Sequence, residues 1–208
     1  PFLTYEPFQG TFAFHPVFQE YLQSQFQCES WNWQKKACLQ AARWQLRSRD
    51  FAQALALALR GKAWPQALQA VEQAGLAILY QQPPSLLIQL LRKCPQEEKA
   101  RHFAGCGLIL LALNLLQSPQ TAREEREILL ASLPDAWTCT PEDQARILFL
   151  TALDSLPDLG AMEPAFRQFF TYCREHRIRL PRDYFQGIHR GVSGQLVLYY
   201  RRAGSLAR

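Results

Sequence analysis

The sequence predicts an all-α fold, an array of helical hairpins behind a short N-terminal β-hairpin. Three observations carry that expectation. Apolar residues recur at helical spacing from Pro16 onward, and Gly, Pro and Ser interrupt them at short intervals. In addition, Asp50-Phe51-Ala52-Gln53-Ala54-Leu55 is echoed by Ala63-Trp64-Pro65-Gln66-Ala67-Leu68.

Taken in order, residues 1–15 are rich in Phe, Tyr and Thr around Gln9-Gly10, and Phe12 and Phe14 alternate with small or polar neighbours at the strand period, which suits a hairpin. Pro16 lacks an amide hydrogen and fits a first helical turn, after which Val17, Tyr21, Leu22 and Phe26 form an apolar stripe. Further helices are expected over 32–48, 50–60, 63–81, 84–94, 97–117, 121–133, 141–156, 161–179 and 183–203. The breaks between or within them fall at Gly61, Gly75, Pro83-Pro84-Ser85, Ser118-Pro119, Pro157 to Gly160 and Leu180-Pro181. Thr121 and Thr140 each offer a hydroxyl cap with a carboxylate three residues on.

Stacked helix pairs need small residues where backbones approach, and Ala41, Ala42, Ala54, Ala56, Ala58, Ala67, Ala70 and Ala74 supply them. Trp44, Leu46, Phe51, Leu55, Trp64 and Leu68 supply the large side chains between. Phe51 and Trp64, each followed three residues later by Ala54 or Ala67, mark equivalent corners of a tetratricopeptide-like array. Toward the C-terminus the stripes Ala145, Leu148, Phe149, Ala152 and Met162, Phe166, Phe169, Phe170, Cys173 keep helical period without a repeat motif. Residues 1–30 therefore read as hairpin plus helix, and 31–208 as the helical-repeat region.

A chain of 208 residues with 48% hydrophobic and 20% charged side chains is not disordered and can bury a core. It starts at Pro1 with no basic, apolar leader pattern, and reads as a piece of a larger protein without a signal peptide. The apolar run from Phe103 to Leu116, interrupted by Asn114, is short of the roughly 20 residues a bilayer span needs and reads as a core helix. Cys28, Cys38, Cys94, Cys106, Cys139 and Cys173 contain no C-x-x-C pair, which favours reduced core thiols and a cytoplasmic setting over disulfides or metal.

No G-x-S-x-G, H-E-x-x-H or G-x-x-x-x-G-K-[ST] pattern occurs, so neither catalysis, a metal site nor a cofactor is expected of this piece. His176 and His189 could meet in space, read first as a solvated pair on neighbouring helices and second as a site, and Glu124, Glu125 and Glu127 read as an acidic helix start. The formal charge is +5, with 14 basic and 14 acidic residues in 1–156 but 9 and 4 in 157–208. Arg174, Arg177, Arg179 and Arg182 thus mark a basic surface, read first as a solvated helix face and second as a phosphate-tracking one.

The run Phe12-Ala13-Phe14-His15-Pro16-Val17-Phe18-Gln19-Glu20-Tyr21-Leu22 resembles a segment of the MalT-like branch of LuxR-type transcriptional activators, which ends the winged-helix part of a STAND ATPase module. Ala41-Ala42-Arg43-Trp44 and the stretch Ala54 to Leu68 resemble the helical pieces that follow there, with Leu57 where the family has His and Ala63 where it often has Asp. The resemblance covers roughly residues 8–95. It implies a helical scaffold that binds a small effector or protein partner and couples it to a nucleotide switch. ATP or ADP would be held elsewhere in the parent protein, with His15 near the nucleotide; read from its neighbours alone, His15 equally suits a cap for the helix that starts at Pro16 or packing in the hairpin. It implies no direct DNA contact from this piece, since the helix-turn-helix of such activators sits at their far C-terminus. A stand-alone adaptor assembling proteins is the second reading.

Overall fold

The computed structural model describes residues 2–6, 11–155 and 158–179. It is all-α behind an N-terminal hairpin. Strands β1 (Leu3–Glu6) and β2 (Thr11–Phe14) pair antiparallel with Leu3 opposite Phe14 and Tyr5 opposite Phe12. The turn residues Gln9 and Gly10 lie outside the described residues. The His15 amide donates to the Phe2 carbonyl at 2.9 Å, closing the hairpin where α1 (Pro16–Cys28) begins on its proline. The apolar stripe of α1 is present in sequence but not buried: Val17 is 68% exposed, and no α1 residue is buried. Among the described residues this helix has only the hairpin and one edge of α2 and α3 to lean on. Phe18 makes the principal anchor, with ring centroids 4.7 Å from Phe2 and 5.5 Å from Phe14.

α2 (Trp31–Arg47), α3 (Phe51–Arg60) and α4 (Trp64–Ala74) pack consecutively, α2 on α3 and α3 on α4. Ser30 and Asp50 cap the first two by accepting the amides of Trp33 and Gln53. Both corners follow one scheme. Arg49 (φ 61°) and Lys62 (φ 50°) take the left-handed conformation, and the next amide reaches back five residues, Asp50 to the Gln45 carbonyl (3.0 Å) and Ala63 to the Ala58 carbonyl (2.8 Å). Gly61 is therefore not the residue that turns the chain. Its bare α-carbon instead admits α2, since a Cβ there would lie 2.7 Å from Cys38 Cβ. Ala54, Ala58, Ala67 and Ala70 are fully buried, as close helix approach requires. Ala56 and Trp44 are exposed, Trp44 to 63%, because both point away from the neighbouring helix; neither serves the packing expected of it.

The expected helix 63–81 is split. Gly75 (φ 71°) ends α4, and Gly75–Gln81 continue as a 3₁₀ helix that buries Leu76, Ile78 and Leu79. After α5 (Pro84–Lys93) the expected 97–117 helix is also two, α6 (Gln96–Arg101) and α7 (Phe103–Leu116), breaking at His102. Glu72 of α4 meets the break: its carboxylate lies 2.9 Å from His102 Nδ1 and accepts the Gly105 amide at 3.2 Å, so an external carboxylate satisfies one of the free amides at the new helix N-terminus. Gly105 lets α4 approach, a Cβ there meeting the Leu68 carbonyl at 3.0 Å.

α7 is the centre of the fold, buried from Gly105 to Asn114 and packed on α4, α5, the 3₁₀ helix, α8 and α9. In α8 (Pro119–Ala131) the cap is Ser118, which accepts the Thr121 amide; Thr121 itself is not the cap, because Pro119 already fills the first helical position. Glu124, Glu125 and Glu127 accordingly lie in mid-helix rather than at its start. α9 (Pro141–Asp154) starts as expected at Thr140, whose hydroxyl accepts the Asp143 amide at 3.1 Å. α10 (Leu159–Glu175) packs on α9 through Phe169 and Phe149, with centroids 5.2 Å apart. The expected helix 183–203 lies outside the described residues.

Three side-chain links tie the layers together at one interval. Glu72 to Gly105, Arg92 to Glu125 and Lys99 to Ser132 each join residues 33 apart. Among the described residues no helix is long and apolar enough to cross a membrane.

Candidate functional site

His15 stands exposed between the hairpin and α1, and its ring makes no capping bond to the helix it precedes. Its backbone is fixed at both ends, by the Phe2 carbonyl and by the Gln19 amide that its own carbonyl accepts at 2.9 Å. Around it Phe2, Val17, Phe18 and Tyr21 line an open recess of about 730 Å³. The helical spacing of 17, 18 and 21 puts one face of α1 there, and Tyr21 stacks on Phe18 with centroids 6.2 Å apart. Such a recess offers flat aromatic faces and one imidazole, the chemistry of a planar heteroaromatic ligand or of apolar side chains from a partner.

The other face of α1, through Leu22, Gln23 and Phe26, lines a groove of about 330 Å³ against Cys38 and Ala41 of α2 and Leu57 of α3. Its rim carries Arg60, whose guanidinium lies 4.7 Å from the Phe26 ring centroid. Leu57, half-buried against the core, also lines this groove.

The corner residues sit behind these surfaces. Phe51 and Trp64 are half-buried against the core, and Ala54 and Ala67 are wholly buried one turn on. They shape the array and touch neither recess. Of the basic surface, Arg174, Arg177 and Arg179 are exposed at the end of α10, with Arg177 in the left-handed conformation (φ 55°); Arg182 lies outside the described residues. The His176 ring lies tilted against that of Tyr172 with centroids 4.2 Å apart, and His189 lies outside the described residues.

The charged residues inside the fold have partners. Glu125, buried, receives Arg92 through two nitrogens, and buried Lys99 donates to Ser132 at 3.1 Å. Burial raises the Asp154 carboxyl above its ordinary value against the opposing pull of Arg126 and Arg123. Cys38, Cys94 and Cys106 are buried thiols; burial pushes Cys94 up to about 11 and Cys106 further still. No group of His, Cys, Asp and Glu that could hold a metal occurs among the described residues.

Comparison with known protein families, curated proteins and solved structures found no match to this chain.

Proposed function

We propose that this chain is a cytoplasmic helical scaffold of a MalT-like, ATP-dependent transcriptional regulator, binding an effector or protein partner and passing that event to a nucleotide switch through the hairpin and α1. The observation that carries the reading is the pair of corners at Phe51 and Trp64, which share one set of backbone bonds and one left-handed residue each. The 33-residue interval of the inter-helix links adds to it, being close to the roughly 34-residue unit of tetratricopeptide arrays.

The aromatic recess at His15 suits the switch end of such a device. A ligand can move a two-state equilibrium only by binding one state better, and a swing from mostly off to mostly on needs about 5 kcal/mol of difference. α1 fits the joint, because none of its residues is buried and little packing opposes its movement.

Sequence flanking both ends tests the reading at once. A phosphate loop upstream and a helix-turn-helix downstream are expected; their absence leaves the stand-alone adaptor. In the longer protein His15→Ala should loosen bound ADP, whereas the 208-residue chain alone should bind no nucleotide, as measured by fluorescent-ADP anisotropy.

A further inference from the structure

The even charge balance of residues 1–156 hides a segregation. Residues 31–62 hold seven of the basic side chains and a single acid, Asp50, whose carboxylate is occupied as the α3 cap. α2 itself contains no Asp or Glu. Trp33, Lys36, Gln40, Arg43, Trp44 and Arg47 recur at helical spacing along its outer side, opposite the buried Cys38, Ala42 and Leu46. All six are exposed, Trp33 to 50% and Trp44 to 63%, and none of the cations pairs with a described carboxylate. At the start of the helix Lys62 sits 5.1 Å over the half-exposed Trp31 ring, adding a further cation and a further aromatic face.

We propose that this outer face of α2 binds single-stranded nucleic acid, cations on the phosphates and tryptophan rings against unpaired bases. Charge complementarity selects a polyanion, and exposed rings alternating with cations select one that carries a flat π-face per repeat. An anionic membrane fits less well: between the two tryptophans the face offers Lys, Gln and Arg rather than the aliphatic side chains that enter a bilayer interface. An acidic protein segment fits less well because the rings stand out from the surface instead of lining a pocket for its side chains. Duplex reading by an inserted helix is not required, since the buried side of α2 is committed to α3. The site departs from the expectation that this piece touches no DNA and is separate from the Arg-rich C-terminal end. It is independent of the nucleotide-switch reading.

The test uses the full 208-residue chain and fluorescein-labelled 15-mers of oligo-dT and oligo-U at several salt concentrations. Binding is expected with tryptophan quenching, and the oligomer bound more tightly names DNA or RNA as the source. Trp44→Ala should weaken it about tenfold and Trp44→Phe restore most of it. Lys36→Gln, Arg43→Gln and Arg47→Gln together should flatten the slope of log affinity against log salt by about 2, from roughly 0.7 per phosphate contact on a single strand. Arg174→Gln, Arg177→Gln and Arg179→Gln together should change neither. The proposal is overturned if neither oligomer binds, if heparin is held as tightly and Trp44→Ala is silent, if the C-terminal Arg variant alone abolishes binding, or if phosphatidylserine vesicles or polyglutamate outcompete both oligomers.

Discussion

Phe51 and Trp64 occupy the same place in two successive turns of the chain. Each is the first residue of its helix, each follows a cap residue with nearly the same backbone angles (Asp50 φ −88°, ψ 76°; Ala63 φ −87°, ψ 71°), and each precedes by three a fully buried alanine. Equivalent geometry implies equivalent energetics. Phe51→Ala and Trp64→Ala should each cost about 2 kcal/mol, below the loss for a fully buried aromatic because both rings are half-exposed. Urea unfolding measures it; one variant neutral and the other severe would show that the corners are alike in backbone only.

The same corners hold Arg49 and Lys62 in the left-handed conformation, which costs a residue with a Cβ about 1 kcal/mol. Glycine there relieves that strain while enlarging the unfolded ensemble. Arg49→Gly is expected to stabilise by roughly 0.5 kcal/mol. Lys62→Gly should gain less, because it also removes the ammonium from over Trp31. Thermal melts of the two single variants decide this, a loss of stability in Arg49→Gly going against it.

What could be read in the sequence was local. Pro16 and Thr140 start their helices through the missing amide hydrogen of one and the hydroxyl of the other, and the 13-residue echo of Phe51 in Trp64 reports a backbone turn made twice. What could not be read depends on groups far apart in the chain. Glu72 meets the helix break at His102 from 30 residues away, and nothing near His102 announces that contact. Ser118 against Thr121 was decidable locally, since Pro119 marks the first helical position. The recess at His15 needed β1 to bring Phe2 across, whereas the cationic outer face of α2 was in the sequence, masked by balancing charge over too long a window.

Glu125 and Arg92 form an ion pair between layers, with the carboxylate buried and the guanidinium largely in solvent. Removing the cation leaves a desolvated charge behind, so Arg92→Met should destabilise more than Arg92→Met with Glu125→Leu, which removes both. A double-mutant cycle in urea reads the coupling; additive single effects would mean the pair is not what joins α5 to α8.

Gly61, at the end of α3, lies close against α2. Its φ of −84° suits any residue, so the effect of Gly61→Ala is steric alone: the new methyl would lie 2.7 Å from Cys38 Cβ, and neither atom is the end of a flexible chain. A cost of about 1–3 kcal/mol is expected, as for other overpacked contacts. Gly160→Ala, whose Cβ would meet, among the described residues, only Asp158 Oδ1 at 3.3 Å, is the control and should cost less.

The thiols divide by access and by ionisation. The thiolate is the nucleophile, so alkylation by iodoacetamide at pH 7.5 should mark exposed Cys28 first and Cys139 more slowly, since partial burial, with Asp143 beside it, raises the Cys139 thiol. Cys38, Cys94 and Cys106 should react only after unfolding. The same burial has a consequence for stability. Cys94 holds its proton up to about 11 in the fold, against an ordinary value of 9.0 once unfolded. Between those values the unfolded chain sheds a proton that the folded chain keeps, so stability is intact below about pH 9 and declines as pH climbs toward 11. Cys106, raised further by its deeper burial, extends the decline. Urea midpoints measured from pH 7 to pH 10.5 should fall above pH 9, and Cys94→Ala should shallow that fall while lowering the midpoint at pH 7; an unchanged alkaline slope in the variant would place the ionising group elsewhere.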